Sequence, residues 1–214
     1  MRSLHRPDST LPLRLVADVA LPGTPSRLDY QDVDPVRRRS FVVHLGASRI
    51  DVVDLDSLRV VGTVEGVGSV HGVRVAPDIG RVFASATASN EVLTIDAESL
   101  AVLARAPTGA FPDGLATHRC WCSTSPPSRS SAASASVRTP TSSPSTMAHG
   151  RLYVAAESGV VAMFAVEGRT LRKLGQQRLA AKAHTVRVDP TSHRVFFPLE
   201  SVGGHPELRV MAPT

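Results

Sequence analysis

Four side chains able to bind ligands occupy the same place in a repeated sequence pattern. Asp29, His71 and His184 each stand six residues before a proline, and Asp113 holds the corresponding place in a fourth repeat. Carboxylate and imidazole groups can bind divalent cations or small polar molecules when a fold brings them together. If the repeats surround one axis, these four side chains should face that axis near one end.

A second column of residues supplies two more acids. It follows the next apolar segment of each repeat and reads Leu45, Thr87, Glu157 and Glu200. The sequence therefore predicts a ligand-binding site at the mouth of a central channel, formed by Asp29, His71, Asp113, His184, Glu157 and Glu200. The first four of these residues are also the candidate ligands of a divalent cation, the one cofactor that the sequence suggests.

The same residues have a structural interpretation, because short polar side chains at strand entries commonly cap turns or bind neighbouring backbone. No motif for catalysis or phosphate binding accompanies them: the chain lacks Gly-x-Ser-x-Gly, a P-loop, a dinucleotide fingerprint and His-Glu-x-x-His. The serines have no recognisable base with an orienting acid nearby in the sequence. No catalytic residue is predicted, and a non-enzymatic protein is favoured.

The elements that must position these residues recur about every 42 residues. Pro35 and Pro77 are 42 residues apart, as are Asp54 and Asp96. Short valine-rich segments separated by turn-forming residues lie between them, as expected for strands. A period in the forties carried by short strands is typical of a β-propeller, in which each blade buries its faces against its neighbours.

The sequence therefore predicts an all-β fold, a single β-propeller domain of about four antiparallel four-stranded blades. One aromatic residue in the second strand of each blade is interpreted as core packing. The segment 12–21 resembles a fourth strand, so we expect the N-terminus to supply the outer strand of the last blade. The expected blades are 27–66, 70–109, 112–180 (interrupted) and 184–211 with 12–21, and the aromatic column is Phe41, Phe83, Tyr153 and Phe196.

The segment 119–146 differs in composition from the rest of the chain. It has ten Ser, four Thr and four Pro, and no Asp, Glu, Lys, Gly, Leu or Ile. Such a composition cannot bury enough apolar area to offset its ordering entropy, so a disordered loop is one interpretation. A metal site of His118, Cys120 and Cys122 is a second, although a fourth ligand is missing. We favour the third, a shift of reading frame that replaced authentic blades, which translation of the DNA in its other frames would test.

Several segments resemble the YncE-type family of β-propellers with the forty-residue YVTN repeat. They are Val75-Ala76-Pro77-Asp78, Arg81-Val82-Phe83-Ala84, Val92-Leu93-Thr94-Ile95-Asp96 and Ala183-His184-Thr185-Val186. The resemblance implies seven blades, so a chain with about four is expected to be truncated. It also implies a binding or scaffold function, with links to nucleic acid in some relatives and lactone hydrolysis in related propellers.

Composition narrows the partners only slightly. The net charge of +5 includes three arginines of the segment 119–146, without which the balance is close to neutral. No signal peptide or membrane span is visible, so a cytoplasmic protein without a membrane partner is expected. The favoured function is a non-enzymatic binding or scaffold protein whose partner is an unknown small ligand or protein. The alternatives are a metal-dependent hydrolase of the lactonase type, a nucleic-acid-binding propeller and a truncated product without independent function.

Overall fold

The computed structural model describes residues 10–116, 145–148, 150–167 and 170–214, with the backbone alone for 145–148. Within these residues the chain forms sixteen strands and one short 3-10 turn, η1 (Leu45–Ala47). The strands are β1 (Leu13–Ala20), β2 (Gln31–Asp34), β3 (Arg39–His44), β4 (Arg49–Asp54), β5 (Arg59–Val64), β6 (Val70–Ala76), β7 (Arg81–Ala86), β8 (Glu91–Asp96), β9 (Val102–Pro107), β10 (Ser145–Ala148), β11 (Arg151–Ala155), β12 (Val160–Glu167), β13 (Thr170–Arg178), β14 (Arg187–Val188), β15 (Val195–Val202) and β16 (His205–Pro213). No helix in the described part of the chain is long and apolar enough to cross a membrane.

These strands form four antiparallel sheets of four strands, which confirms the predicted all-β propeller fold and its blade number. Blade one has the order β2-β3-β4-β5, blade two β6-β7-β8-β9, blade three β10-β11-β12-β13 and blade four β14-β15-β16-β1. The inner strand β2 contacts both β6 and β14, and β14 contacts β10. The inner strands are therefore neighbours, as they must be around a shared axis.

Recurring aspartates explain why the turns repeat. Each accepts hydrogen bonds from the backbone N–H groups two and three residues further along, so one carboxylate fixes one tight turn. They are Asp34 and Asp189 after inner strands, and Asp54 and Asp96 before outer strands. Hydrogen bonds from Ser57 and Ser99 hold the pKa values of Asp54 and Asp96 below their ordinary range. The 42-residue period thus marks the positions of turns.

The N-terminal segment completes blade four, as predicted. Strand β1 pairs with β16 from Leu13 opposite Pro213 to Ala20 opposite Glu207. The Arg209 guanidinium donates to both Asp18 carboxylate oxygens, at 2.7 Å each. Pairing the two ends of the chain in one sheet removes an open strand edge that could otherwise pair with another molecule.

Three apolar cores join neighbouring blades. One lies between blades one and two and contains Phe41; a second lies between blades four and one and contains Phe196; a third lies between blades three and four and contains Tyr153. These three aromatic side chains are fully buried, as predicted, whereas Phe83 is only half-buried. Among the described residues, no buried apolar cluster joins blades two and three.

Blade three begins differently from the prediction. The segment 111–116, which matches the start of the preceding repeat in sequence, forms no strand, and β10 pairs with β11 instead. Pro112 has no backbone N–H group and cannot donate a ladder hydrogen bond. Two carbonyls of the segment also accept hydrogen bonds from hydroxyl groups of blade two: Thr87 donates to Pro112 O and Ser85 donates to Asp113 O. Ser145 and Thr146, placed in the insert 119–146 by the sequence, belong to β10. The rest of that insert and the proposed ligands His118, Cys120 and Cys122 lie outside the described residues.

Candidate functional site

The entries of the inner strands surround a small cavity of about 270 Å³. Residues at or near the starts of the inner strands β2, β6 and β14 meet there. Five of the six predicted site residues line this mouth cavity. Its lining consists of Arg27, Asp29, Tyr30, His71, Asp113, Glu157, His184 and Thr185.

Asp29 and His184 form the central ion pair of the mouth cavity. The His184 Nε2 atom lies 3.6 Å from Asp29 Oδ1, and its Nδ1 atom donates to the Lys182 carbonyl at 2.8 Å. Asp29 raises the pKa of His184 above its ordinary value, burial acts in the opposite direction, and Lys182 and Glu157 add to the rise. Arg27 contacts the other Asp29 oxygen at 3.6 Å. The Asp29 charge is therefore balanced within the protein.

This ion pair predicts a pH-dependent contribution to stability. Because the pKa of His184 is higher in the folded chain than its ordinary value of 6.5, the pair stabilises the fold at acidic pH and loses its effect as the pH rises through the folded pKa. We expect His184→Gln to cost on the order of 1 kcal/mol of unfolding free energy near pH 5.5 and less near pH 9. Urea denaturation at both pH values measures this difference. The exposed His205→Gln serves as control, and an equal cost of His184→Gln at both pH values would contradict the expectation.

His71 has its proton position fixed by its neighbours. Its Nδ1 atom lies 2.8 Å from Thr87 Oγ1 and 3.0 Å from the Ser69 carbonyl. The Thr87 hydroxyl donates its own hydrogen to the Pro112 carbonyl at 2.6 Å, so both neighbours of Nδ1 are acceptors. Nδ1 therefore carries the proton, and in the neutral ring Nε2 is an acceptor.

The remaining acids differ in their availability. Asp113 and Glu157 are exposed, and Glu157 lies 3.9 Å from His184 Nδ1. Burial raises the pKa of Tyr30, and the charges of Asp113 and Asp29 add to this shift. Glu200, the sixth predicted residue, does not line the cavity; it pairs with Lys182 at 3.4 Å.

The proposed cation site is not supported by the geometry. In the described part of the chain, no three His, Cys, Asp or Glu side chains are arranged to hold a metal ion. Asp29, His71, Asp113 and His184 share a cavity, but Asp29 and His184 already pair with each other. The column is better suited to hydrogen bonding than to coordination.

Sequence reasoning, which searched for a base and an orienting acid close to each serine in the sequence, missed a Ser–His–Asp arrangement that the fold brings together. Ser26 Oγ lies 2.9 Å from His44 Nε2, and His44 Nδ1 lies 3.0 Å from Asp51 Oδ2. Arg49 donates to Asp51 Oδ1 at 2.9 Å and also reaches the Pro22 carbonyl. The three residues are 18 and 7 positions apart and do not recur in the other blades, so no repeat pattern could reveal them.

The surroundings of this arrangement indicate a structural role. His44 and Asp51 are fully buried, and Ser26 packs so closely on Gly46 that a Cβ atom there would lie 2.6 Å from Ser26 Cβ. Ser26 does not line the mouth cavity. The network fastens the segment before blade one to strands β3 and β4.

Comparisons with known proteins identify no family for this chain. No family model and no curated protein sequence matches this chain. Similar solved structures include the β-propeller domain of Cps50 (Swd1) from Myceliophteria thermophila, at 11% identity over 88% of this chain and 65% of that one, with a TM-score of 0.43. They also include Kuenenia stuttgartiensis hydrazine synthase, at 14% identity over 87% of this chain and 46% of that one, with a TM-score of 0.40. A third is apo AztD from Citrobacter koseri, at 16% identity over 42% of this chain and 26% of that one, with a TM-score of 0.37. This chain spans less than two thirds of the length of each of these proteins. The matches are too distant to support an argument about function.

Proposed function

We propose that this protein is a non-enzymatic β-propeller binding module that takes a small cationic ligand at the mouth cavity. The observation that carries the proposal is the convergence of Asp29, His71, Asp113, Glu157 and His184 around one cavity of about 270 Å³. This volume is slightly below the range of about 300–1,000 Å³ that holds drug-sized molecules, which favours a smaller ligand. A binding or scaffold role is also what the resemblance to YncE-type propellers implies.

The charge of the ligand follows from the groups that the protein leaves available. Asp29 is balanced by His184 and Arg27. Asp113 and Glu157 present exposed carboxylates, and His71 directs its Nδ1 atom to Ser69 and Thr87, which leaves Nε2 for a ligand. The lining holds three carboxylates against Arg27 and His184, so the mouth cavity is net negative, and an ammonium group complements its charge.

Calorimetric titration with putrescine, compared with the uncharged butanediol, tests this proposal. We expect putrescine to bind and butanediol to give no heat. Asp113→Asn and Glu157→Gln should each weaken putrescine binding about two- to fivefold, as exposed ion pairs do. Glu98→Gln, an exposed acid far along the chain from the site, is the matched control and should have no effect. Equal binding of the diol, or no effect of either site variant, would contradict the proposal.

The alternative functions make different predictions. A lactonase-type hydrolase requires lactone turnover that a chelator abolishes, and the described residues offer no arrangement suited to a metal ion. Nucleic-acid binding requires an affinity that falls steeply with salt concentration. A truncated product without function would bind none of these molecules. No observation on the described residues favours any of the three over a binding module.

A further inference from the structure

A second and larger cavity lies at the opposite end of the inner strands. It has a volume of about 910 Å³ and shares no lining residue with the mouth cavity. Residues from the ends of β2, β6 and β14 and from the turns that follow them form its wall at the axis. We call it the arginine cavity, after Arg74 and Arg187, which both line it.

The repeat pattern brings these arginines together. The residues three positions after the mouth column are Asp32, Arg74, Ala116 and Arg187, and all four line the arginine cavity. Asp32 stands between the two guanidinium groups: Arg74 Nη1 lies 3.3 Å from its Oδ2 atom, and Arg187 Nη2 lies 2.8 Å from its Oδ1 atom. Two fixed positive charges thus share one carboxylate.

Both carboxylate oxygens of Asp32 also accept hydrogen bonds from backbone N–H groups. Its Oδ1 atom accepts from Val33 N at 2.9 Å, and its Oδ2 atom accepts from Val75 N at 3.0 Å. Each guanidinium has five N–H donors, and Asp32 engages only one of those of Arg74 and two of those of Arg187. The other acid of the lining, Asp78, is exposed on the β6–β7 turn, where water screens its charge. The groups at the axis therefore favour an anion.

The rest of the cavity is apolar. It extends from the axis across the face of blade two that no described apolar cluster covers, past Phe83 and Val92, with Ile79 and Leu115 beside them. Phe83 is half-buried, whereas its equivalents Phe41, Tyr153 and Phe196 are fully buried in interblade cores. An aromatic side chain that the repeat places in a core thus lines an open cavity next to two arginines.

We propose that the arginine cavity is a binding site for an organic anion, a carboxylate or phosphate attached to an apolar group. The anion bridges Arg74 and Arg187, which can each present paired N–H donors to its oxygens. The apolar group lies against Phe83 and Val92. This site is separate from the mouth cavity and does not depend on what binds there.

Calorimetry with phenyl phosphate, inorganic phosphate and benzyl alcohol tests the proposal on the full chain. We expect phenyl phosphate to bind more tightly than inorganic phosphate, because only the former contacts the apolar wall, and benzyl alcohol not to bind. Arg74→Gln and Arg187→Gln should each weaken phenyl phosphate binding about tenfold or more, as lost charge-assisted hydrogen bonds do. Arg59→Gln, at an exposed arginine of the outer strand β5, is the matched control and should leave the affinity unchanged.

Asp32→Asn separates a binding site from a mere loss of folding. Asparagine keeps an acceptor oxygen for one of the two backbone N–H groups but removes the negative charge that competes with the ligand, so phenyl phosphate affinity should rise severalfold. A damaged fold would lower it, and thermal unfolding of each variant checks that the fold is retained. The proposal is overturned by absence of phenyl phosphate binding at millimolar concentration, by equal binding of benzyl alcohol, or by weaker binding to Asp32→Asn with an intact fold.

Discussion

Replacing Phe41 with alanine is expected to lower the unfolding free energy by about 3–5 kcal/mol, the usual cost of deleting a fully buried phenylalanine ring. Phe41 is 0% exposed and belongs to the core between blades one and two, which also contains Val52 of its own blade and Leu93 and Ile95 of the next. Loss of the ring would leave a cavity that two twisted sheets cannot close by a small shift. Urea denaturation of the purified variants measures the effect.

The matched control is Phe83→Ala, at the equivalent position of blade two. Phe83 is half-buried and lines the arginine cavity, so the substitution removes fewer contacts and creates no new void. We expect it to cost about 1–2 kcal/mol, from the smaller apolar area that it removes from burial. Equal costs at Phe41 and Phe83 would contradict the assignment of interblade cores, since those cores distinguish the two positions.

The turns explain how much of the fold could be predicted from sequence. Asp34, Asp54, Asp96 and Asp189 each fix a turn through a local hydrogen-bond pattern, and local patterns survive as a period in the sequence. The mouth column was predictable for the same reason, because residues in equal register on neighbouring inner strands must face the same end of the axis. The place of blade three's inner strand was not, since segment 111–116 matches the repeat in sequence while its carbonyls bind blade two.

Features that form between segments of different sequence leave no repeated pattern from which they could be predicted. Ser26, His44 and Asp51 meet through one loop of one blade, so no second copy marks them. The arginine cavity exists because no described apolar cluster covers one face of blade two, and which face is covered depends on how the blades assemble. The column Asp32, Arg74, Ala116 and Arg187 was readable in the sequence, but its importance follows only from the cavity that it lines.

The two ends of the channel consequently differ in charge. The mouth cavity presents the exposed carboxylates of Asp113 and Glu157, whereas the axis of the arginine cavity presents Arg74 and Arg187 around one acid. The residues of the mouth column and those that line the axis of the arginine cavity lie three positions apart in each repeat, so one repeated sequence pattern places both sets.

Asp32 links three blades, and its removal is expected to have the second large effect on stability. The carboxylate accepts backbone N–H groups from blades one and two and pairs with arginines of blades two and four. Asp32→Ala would leave the Val75 N–H group without its acceptor and Arg74 facing Arg187 without a counter-charge. Removing one partner of a buried ion pair typically costs about 3–5 kcal/mol, and the partial exposure of both arginines reduces this to about 2–3 kcal/mol.

Asp56→Ala is the matched control for this prediction. Asp56 also pairs with an arginine, since Arg38 Nη2 lies 3.0 Å from its Oδ1 atom, but its side chain is 67% exposed. We expect Asp56→Ala to change the unfolding free energy by less than about 1 kcal/mol, as for surface ion pairs. Added salt should reduce the cost of Asp32→Ala by relieving repulsion between Arg74 and Arg187, which a loss of packing alone would not do. Equal stability of Asp32→Ala and Asp56→Ala would contradict the prediction. It would mean that strand pairing and the apolar cores hold the inner strands without a contribution from Asp32.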